Sequence, residues 1–312
     1  MSEVRDHAIP SSPLQELAPA KVNLFLEVFG RRADGYHEIE TFLVQVGLCD
    51  TLSVEEIAGT DLQLQVFWEE TTAAKTYSPL SAGPENLVWR AAELLRQRTG
   101  CRRGARLILK KRIPVAAGLG GGSSDAAAAL RSLNRLWQLA LPTPELTRLA
   151  SCLGSDVPFF LNGPAAWCRG RGELVETFPC PLRCWFLLVC PYRQVSTARV
   201  YAEVRPPNQP HTGSVLNELL RNGDVPALRR RLFNRLEEAA LTAYPELRRI
   251  RQALDDCGLS HARLSGSGGT FFALFASCDE AQQAAEEFQR CYKDADIEPV
   301  RVLVAASLTT PE

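Results

Sequence analysis

PVAAGLGGGSSDAAAAL, residues 114–130, is the stretch from which the rest of this 312-residue chain is best read. Gly118, Gly120, Gly121 and Gly122 precede Ser123 and Ser124, and an alanine-rich helical pattern follows. Glycine lets the backbone approach a ligand closely, and a helix start offers unpaired N–H groups and the positive end of its dipole. Serine hydroxyls at that point add hydrogen bonds to phosphate oxygens or reach a magnesium ion. The segment therefore reads as a phosphate cradle; the plainer alternative is a turn that packs a helix closely on a sheet. Two familiar nucleotide loops are excluded. No Lys follows the glycines, as GxxxxGK[ST] requires, and Ser123 replaces the third glycine of GxGxxG.

Outward from this loop, Ser124–Leu139 is expected as a helix with Ala127, Ala128, Leu130 and Leu133 on its apolar side, and Arg106–Ile113 as the strand before the loop. Asn86 caps a helix carrying Leu87, Ala91, Leu94 and Leu95, which Gly100 stops. The first third is β-rich. Val22, Leu24, Leu26 and Val28 alternate within Ala20–Val28, and Phe42–Val46, Thr51–Glu55 and Asp61–Trp68 follow with period two. Thr71–Pro84 reads as a surface loop, and Thr143-Pro144 opens a helix with the threonine as cap. Pro179 and Pro181 bracket a linker. Beyond it come a strand at Trp185–Val189 and a helical stretch Val215–Cys257 broken at Asp224 and Pro245. Strands Ala262–Ser265 and Thr270–Phe275, a helix Asp279–Cys291 and a strand Val300–Ala305 complete the pattern. The expectation is an α+β chain of two domains, 1–178 and 179–312, with residues 1–16 as a flexible lead.

Composition narrows the function classes. Lys and Arg total 35 against 36 Asp and Glu, for a net charge of −1, which gives no sustained positive field for nucleic acid or an anionic membrane. No apolar run approaches the roughly 20 residues that cross a bilayer, and the N-terminus lacks the apolar core of a secretory signal. The ten cysteines form no CxxC pair and no zinc-finger spacing with the four histidines. A reduced, cytoplasmic, soluble protein is expected.

Three further features carry chemistry. Only five of the basic residues are lysines, and Lys21 sits inside the apolar strand APAKVNLFLEV with Asn23 on the same face. An outer, solvated face is the ordinary reading of such a lysine. Asp156, in LGSDVPFFL, is either a cap for the turn that Pro158 begins or a placed functional acid. Gly266, Ser267, Gly268 and Gly269 lie between apolar strands, as a tight β-turn or as a second anion-wrapping loop. Lys110 and Lys111 stand on the strand before the first loop, within reach of a nucleotide. The remaining histidines, His7, His211 and His261, read as tail or loop residues.

APAKVNLFLEV, GRRADGYHEIET (30–41), PVAAGLGGGSSDAAAAL, LGSDVPFFLNG (153–163) and LSGSGGTFFALF (264–275) occur in the order seen in the GHMP kinases, and the chain resembles that superfamily from about Leu17 to Leu308. Within it, the ADGYHE segment resembles the branch whose acceptor is a cytidine diphosphate-linked methylerythritol. The resemblance implies an N-terminal domain like domain 2 of ribosomal protein S5, a C-terminal GHMP domain and an active site between them. It implies transfer of the ATP γ-phosphate, with Mg2+ held mainly through phosphates, to the acceptor's tertiary 2-hydroxyl. Asp156 is then the catalytic base or orienting group and Lys21 its partner. The ATP phosphates fall to Pro114, Val115, Ala116, Ala117, Gly118, Leu119, Gly120, Gly121, Gly122, Ser123 and Ser124. Asn23 helps hold the site, Tyr36 and His37 hold the cytosine, and Tyr201 sandwiches it from the other side. Gly266, Ser267, Gly268 and Gly269 contact the substrate diphosphate. The alternatives are another small-molecule kinase of this superfamily, acting on mevalonate, homoserine or a sugar, and a non-catalytic nucleotide sensor on the same fold.

Overall fold

The computed structural model describes residues 13–69, 80–179, 182–293 and 298–309. Residues 71–79, most of the expected surface loop, and Pro181 lie outside the described residues, as does His7. The chain runs β1 (Leu14–Arg31), β2 (His37–Ile57), β3 (Leu62–Trp68), α1 (Leu87–Thr99), β4 (Gly104–Lys111), α2 (Gly121–Leu136), α3 (Thr143–Leu153), β5 (Ala165–Gly170) and β6 (Leu174–Thr177). It continues with β7 (Trp185–Pro191), α4 (Thr197–Ala202), α5 (Asn217–Asn222), α6 (Val225–Arg229), β8 (Phe233–Asn234) and α7 (Leu236–Ala243). The last elements are α8 (Leu247–Asp256), β9 (Arg263–Leu264), β10 (Phe271–Phe275), α9 (Cys278–Lys293) and β11 (Val300–Ala306).

Two sheets organise these elements. The larger has the order β3-β4-β2-β1-β8, with β5 added beside β2 and β6 beside β5; the smaller has the order β11-β7-β10-β9. A bridge between Val46 and Ser307 joins them. On one face of the larger sheet, α1 (Val88, Ala91, Leu95) and α2 (Ala126 to Leu130, Leu133) bury against Leu43, Leu52, Leu107 and Leu109. A second apolar layer places Val22, Leu24, Phe42 and Val44 against Phe186, Leu188 and Phe272 of the smaller sheet. The strand β1 is thus covered on both faces, and every residue from Ala18 to Val28 is buried. A lysine here is not on a solvated edge.

Several expected elements form, for the expected reasons. Asn86 Oδ1 accepts from the Val88 N–H at 2.9 Å, and Gly100 ends α1 in the left-handed region at φ 70°. Others differ. The strands expected at Phe42–Val46 and Thr51–Glu55 are one strand, because β1 keeps pairing through a register shift between Pro19 and Ala20. The strand begins at Leu14, so the last part of the supposed flexible lead is paired. Thr143 is the first residue of α3 rather than its cap; the Pro142 carbonyl accepts from the Glu145 and Leu146 N–H groups instead. Helix α2 starts three residues earlier than expected, which puts Gly121, Gly122 and Ser123 in its first turn. The stretch 215–257 is broken by β8, which pairs in parallel with Phe25 and Leu26 of β1.

That pairing is locked by charge. Glu27, with 0% exposure, accepts from Arg235 Nε and Nη2 at 2.7 and 2.8 Å and from the backbone N–H groups of Val28 and His211. Burial by itself would raise its carboxyl pKa, but these donors outweigh burial and hold it below the ordinary carboxylate value. Its contribution is therefore present above that ordinary value and lost as pH falls through the lower folded one. Glu27→Ala is expected to destabilise the fold by about 3 kcal/mol in urea denaturation, since it leaves two N–H donors and a guanidinium without their acceptor.

Candidate active site

The two glycine-rich loops, the middle of β1 and the turn after α3 converge on a cavity of about 1330 Å³. Single drug-sized ligands fill roughly 300–1,000 Å³, so the volume accommodates more than one small molecule. The loop between β4 and α2 is tied from several sides. The Ala116 carbonyl accepts from Val195 N–H, Ala117 from Thr270 N–H, Gly118 from Ser265 Oγ and Leu119 from Lys21 N–H, at 2.9–3.2 Å. The first loop is thus held by β1 and by the second loop together. A Cβ on Gly118, at φ +77°, would collide with the carbonyl oxygens of Ser265 and Gly268. Helix α2 then starts at Gly120, φ 70°, with no side chain capping its first N–H groups.

Opposite this helix start, Lys21 is 3% exposed and donates to Asn23 Oδ1 at 2.6 Å. Asn23 Nδ2 donates to Thr41 Oγ1, which donates to the Phe25 carbonyl at 2.6 Å, so the amide cannot turn and its oxygen stays aimed at the ammonium. Lys21 Nζ lies 3.8 Å from Asp156 Oδ2, and Asp156 keeps 37% of its side chain exposed to the cavity. Burial lowers the Lys21 pKa, against an opposing pull from the Asp156 carboxylate. Asp156 does not cap the turn that follows: the short Phe159–Leu161 turn has no side-chain cap. The lysine and the aspartate singled out in the sequence face one another.

The β1–β2 hairpin also lines the cavity and presents Tyr36, half exposed, and His37. The His37 and Tyr201 rings lie 4.9 Å apart, tilted by 32°. A planar base needs about 7 Å between two faces to lie sandwiched, so these two rings pack against each other and leave no slot for a base between them. Burial and Arg31 lower the His37 pKa, which keeps the imidazole neutral at pH 7. Burial, then the Asp156 charge, raises the Tyr201 phenol, which stays protonated. Arg171 stacks its guanidinium 4.9 Å from the Tyr36 ring centre and donates to the Ser151 carbonyl.

Not every expected residue reaches the cavity. Pro114 to Gly118 and Gly120 to Ser123 line it, whereas Leu119 is buried in the core and Ser124 is fully covered within α2. Gly266, Ser267 and Gly268 line it, and Ser267 Oγ pairs with Thr197 Oγ1 at 2.9 Å; Gly269 backs onto Pro191 and Val195. Of the two adjacent lysines, Lys111 lines the cavity and Lys110 points to solvent. Sequence reasoning missed Thr41, Arg171, Ser265 and Asn234, whose Nδ2 holds the carbonyls of Leu264 and Gly266 at 2.7 and 2.8 Å. Polar periodicity on β1 points to Asn23 but gives no signal for the partners that orient it.

The family model described as "GHMP kinases N terminal domain" matches residues 86–164, and that described as "GHMP kinases C terminal" matches residues 216–294. A 4-diphosphocytidyl-2-C-methyl-D-erythritol kinase of Pelotomaculum thermopropionicum is 43% identical over 277 residues, 88% of this chain and 93% of that protein. The protein of the same description from Exiguobacterium sibiricum is 39% identical over 85% of this chain and 90% of its own length. A crystal structure described as 4-(cytidine 5'-diphospho)-2C-methyl-D-erythritol kinase superposes with a TM-score of 0.75 at 37% identity, covering 94% of this chain and 99% of the other. With both halves matched and relatives this similar along nearly their whole length, the chain belongs to the GHMP kinases, in the 4-diphosphocytidyl-2-C-methyl-D-erythritol kinase family.

Proposed function

We propose that this protein transfers the γ-phosphoryl group of ATP to the 2-hydroxyl of 4-diphosphocytidyl-2-C-methyl-D-erythritol. The observation that carries the reading is the Lys21–Asp156 pair, in one cavity with an uncapped helix start and the packed His37 and Tyr201 rings. Phosphoryl transfer requires mainly positioning and charge neutralisation. The N–H groups at the start of α2 and the glycine loop receive the nucleotide phosphates. Asp156, open to the cavity, accepts a hydrogen bond from the acceptor hydroxyl and takes or orients its proton. Lys21, fixed by Asn23, stabilises the alkoxide that develops. The glycine-rich 266–268 backbone meets the acceptor diphosphate, and Tyr36, His37 and Tyr201 meet its base. In this reading residues 1–178 carry the nucleotide and 179–312 complete the acceptor side, and the protein acts in the cytoplasm on a small molecule.

Among the described residues no cluster of three or more His, Cys, Asp or Glu is arranged to hold a metal. Ser123, which lines the cavity in the first turn of α2, fits a magnesium ion that would arrive with ATP and be held mainly by phosphates and water. Such an ion would neutralise charge on the β- and γ-oxygens.

The test is an ADP-release assay with ATP, magnesium and the cytidyl acceptor, with mevalonate and homoserine run in parallel. Turnover dependent on the cytidyl acceptor is expected; turnover only with another acceptor overturns the assignment. Tyr36→Ala is expected to raise the KM for the acceptor about tenfold with kcat nearly unchanged, because loss of base stacking removes about 1–3 kcal/mol of binding. An unchanged KM would remove Tyr36 from the acceptor site.

A further inference from the structure

A second hollow, of about 470 Å³, opens between α6 and the turn that leads from α8 into β9, and it shares no lining residue with the active-site cavity. Pro226, Arg229 and Arg230 line it from α6 and its end; Ser260, His261 and Arg263 line it from the turn and β9. Nothing in the phosphoryl-transfer reading uses this place. Three guanidiniums in so small a space repel one another unless each is held, and the way they are held is informative.

Arg263 donates through Nε to the Leu232 carbonyl at 3.3 Å and through Nη1 to the Ser260 and Ala262 carbonyls at 3.0 and 2.7 Å. Arg229 donates through Nε to the Leu274 carbonyl at 2.5 Å and lies 4.8 Å from the Phe275 ring centre. Carbonyls and ring faces orient a cation without cancelling its charge. Among the described residues neither Arg230 nor Arg263 forms an ion pair, and Arg229 meets only Glu280, at 3.4 Å. The other acids nearby are engaged elsewhere: Asp255 pairs with Arg251, and Glu237 accepts from the Leu264 N–H. Arg229 Nη1 and Arg263 Nη2 keep their N–H groups uncommitted among the described residues. His261 adds an uncharged group. Its Nε2 is buried with no hydrogen-bond partner among the described residues, and a buried polar atom of that kind calls for one. Burial, then Arg229, Arg263 and Arg251, hold the imidazole down to about 4, so at pH 7 it is neutral and carries a single N–H.

We propose that this hollow is a second anion site, separate from the active site, which binds a phosphate or diphosphate group through Arg229, Arg230, Arg263 and His261. Guanidinium forks match the edges of a phosphoryl group, and the fixed donors come from three directions. A carboxylate offers two oxygens in one plane and a single charge, fewer than these donors can use. The volume lies at the small end of ligand sites, which suits one or two phosphoryl groups rather than a whole nucleotide. A free ion and the phosphate of an ester share this chemistry.

The test is NMR of the full chain carrying 13C-labelled histidine, where the His261 ring signal reports on this hollow and the His37 signal on the active-site cavity. Inorganic diphosphate and methyl phosphate are titrated separately at low salt, with circular dichroism of each variant as a check on folding. A saturable His261 shift with a Kd below about 1 mM is expected with diphosphate. Arg263→Gln is expected to weaken it about tenfold, through loss of a charge-assisted donor. Arg230→Gln, which changes an exposed rim side chain, is expected to weaken it about fivefold and decides the matter if Arg263→Gln does not fold. Saturation by methyl phosphate as well supports a site for phosphate esters, and saturation by diphosphate alone supports a site for the free ion. A His261 signal that does not saturate with either probe overturns the proposal, as do folded arginine variants that titrate like the wild type.

Discussion

Asp156→Asn is expected to lower kcat about a thousandfold while leaving the Kd for magnesium–ATP within about threefold of wild type, in single-turnover kinetics and equilibrium binding respectively. The substitution keeps the shape of the side chain and removes only its charge and basicity. The tertiary alcohol is a weak nucleophile whose proton must move as the bond to phosphorus forms, and Asp156 is the exposed carboxylate beside the buried ammonium. Nucleotide contacts are built elsewhere, from the 114–124 backbone, so they survive. The variant also tests the pair electrostatically. Burial already lowers the Lys21 pKa, and the Asp156 charge is the first of the influences opposing that shift. Removing that charge drops Lys21 further, so the residual activity, which needs the ammonium form, falls away at a lower pH than in the wild type. A variant with unchanged kcat, or one that has lost ATP binding, would end the assignment of Asp156 to the phosphoryl-transfer step.

The parts of this molecule legible in the sequence are those set by local rules. Helix α1 is bounded by an asparagine whose side chain caps it and a glycine in the left-handed region, and the start of α2 by Gly120, in a conformation that other residues adopt less easily. Lys21 and Asp156 stood out because each breaks an apolar run, and they meet in space. What was illegible depends on distant chain. Strand β5 (AAWCRG) has no alternation, since it gains its partner from β2 and the 165–168 side chains are buried on both faces. The two-residue β8 exists only because β1 runs alongside it, and Glu27 finds Arg235 more than two hundred residues away. The alternation of β1 predicts one wet face; the smaller sheet and the helices cover both. Lys111 drew attention as a rare lysine near the nucleotide loop, but no spacing announces Asp50 and Asp125 as its partners.

Gly118→Ala and Gly122→Ala should separate the two roles that glycine plays within five residues of one loop. Gly118→Ala is expected to cost at least about 3 kcal/mol of stability in urea denaturation and nearly all kinase activity. Its positive φ of +77° already disfavours an L side chain by about 1–2 kcal/mol. The new methyl group would also strike two carbonyl oxygens of the opposite loop, which are rigid backbone and cannot rotate away as a side chain would. The hydrogen bonds from Ser265 to the Gly118 carbonyl and from Thr270 to the Ala117 carbonyl would have to open. Gly122 has neither problem. Its Cβ would meet only Leu87 Cδ1, at an ordinary 3.6 Å, and it lies in the first turn of a helix at a negative φ. Alanine there should raise stability by up to about 1 kcal/mol through helix propensity, while its methyl group intrudes on the phosphate face and raises the KM for ATP several-fold. Stability and activity thus fall together at Gly118 and move in opposite directions at Gly122. If both variants lost stability, the glycines would serve packing alone; if Gly118→Ala were as stable as wild type, the close contact between the two loops would not exist in solution.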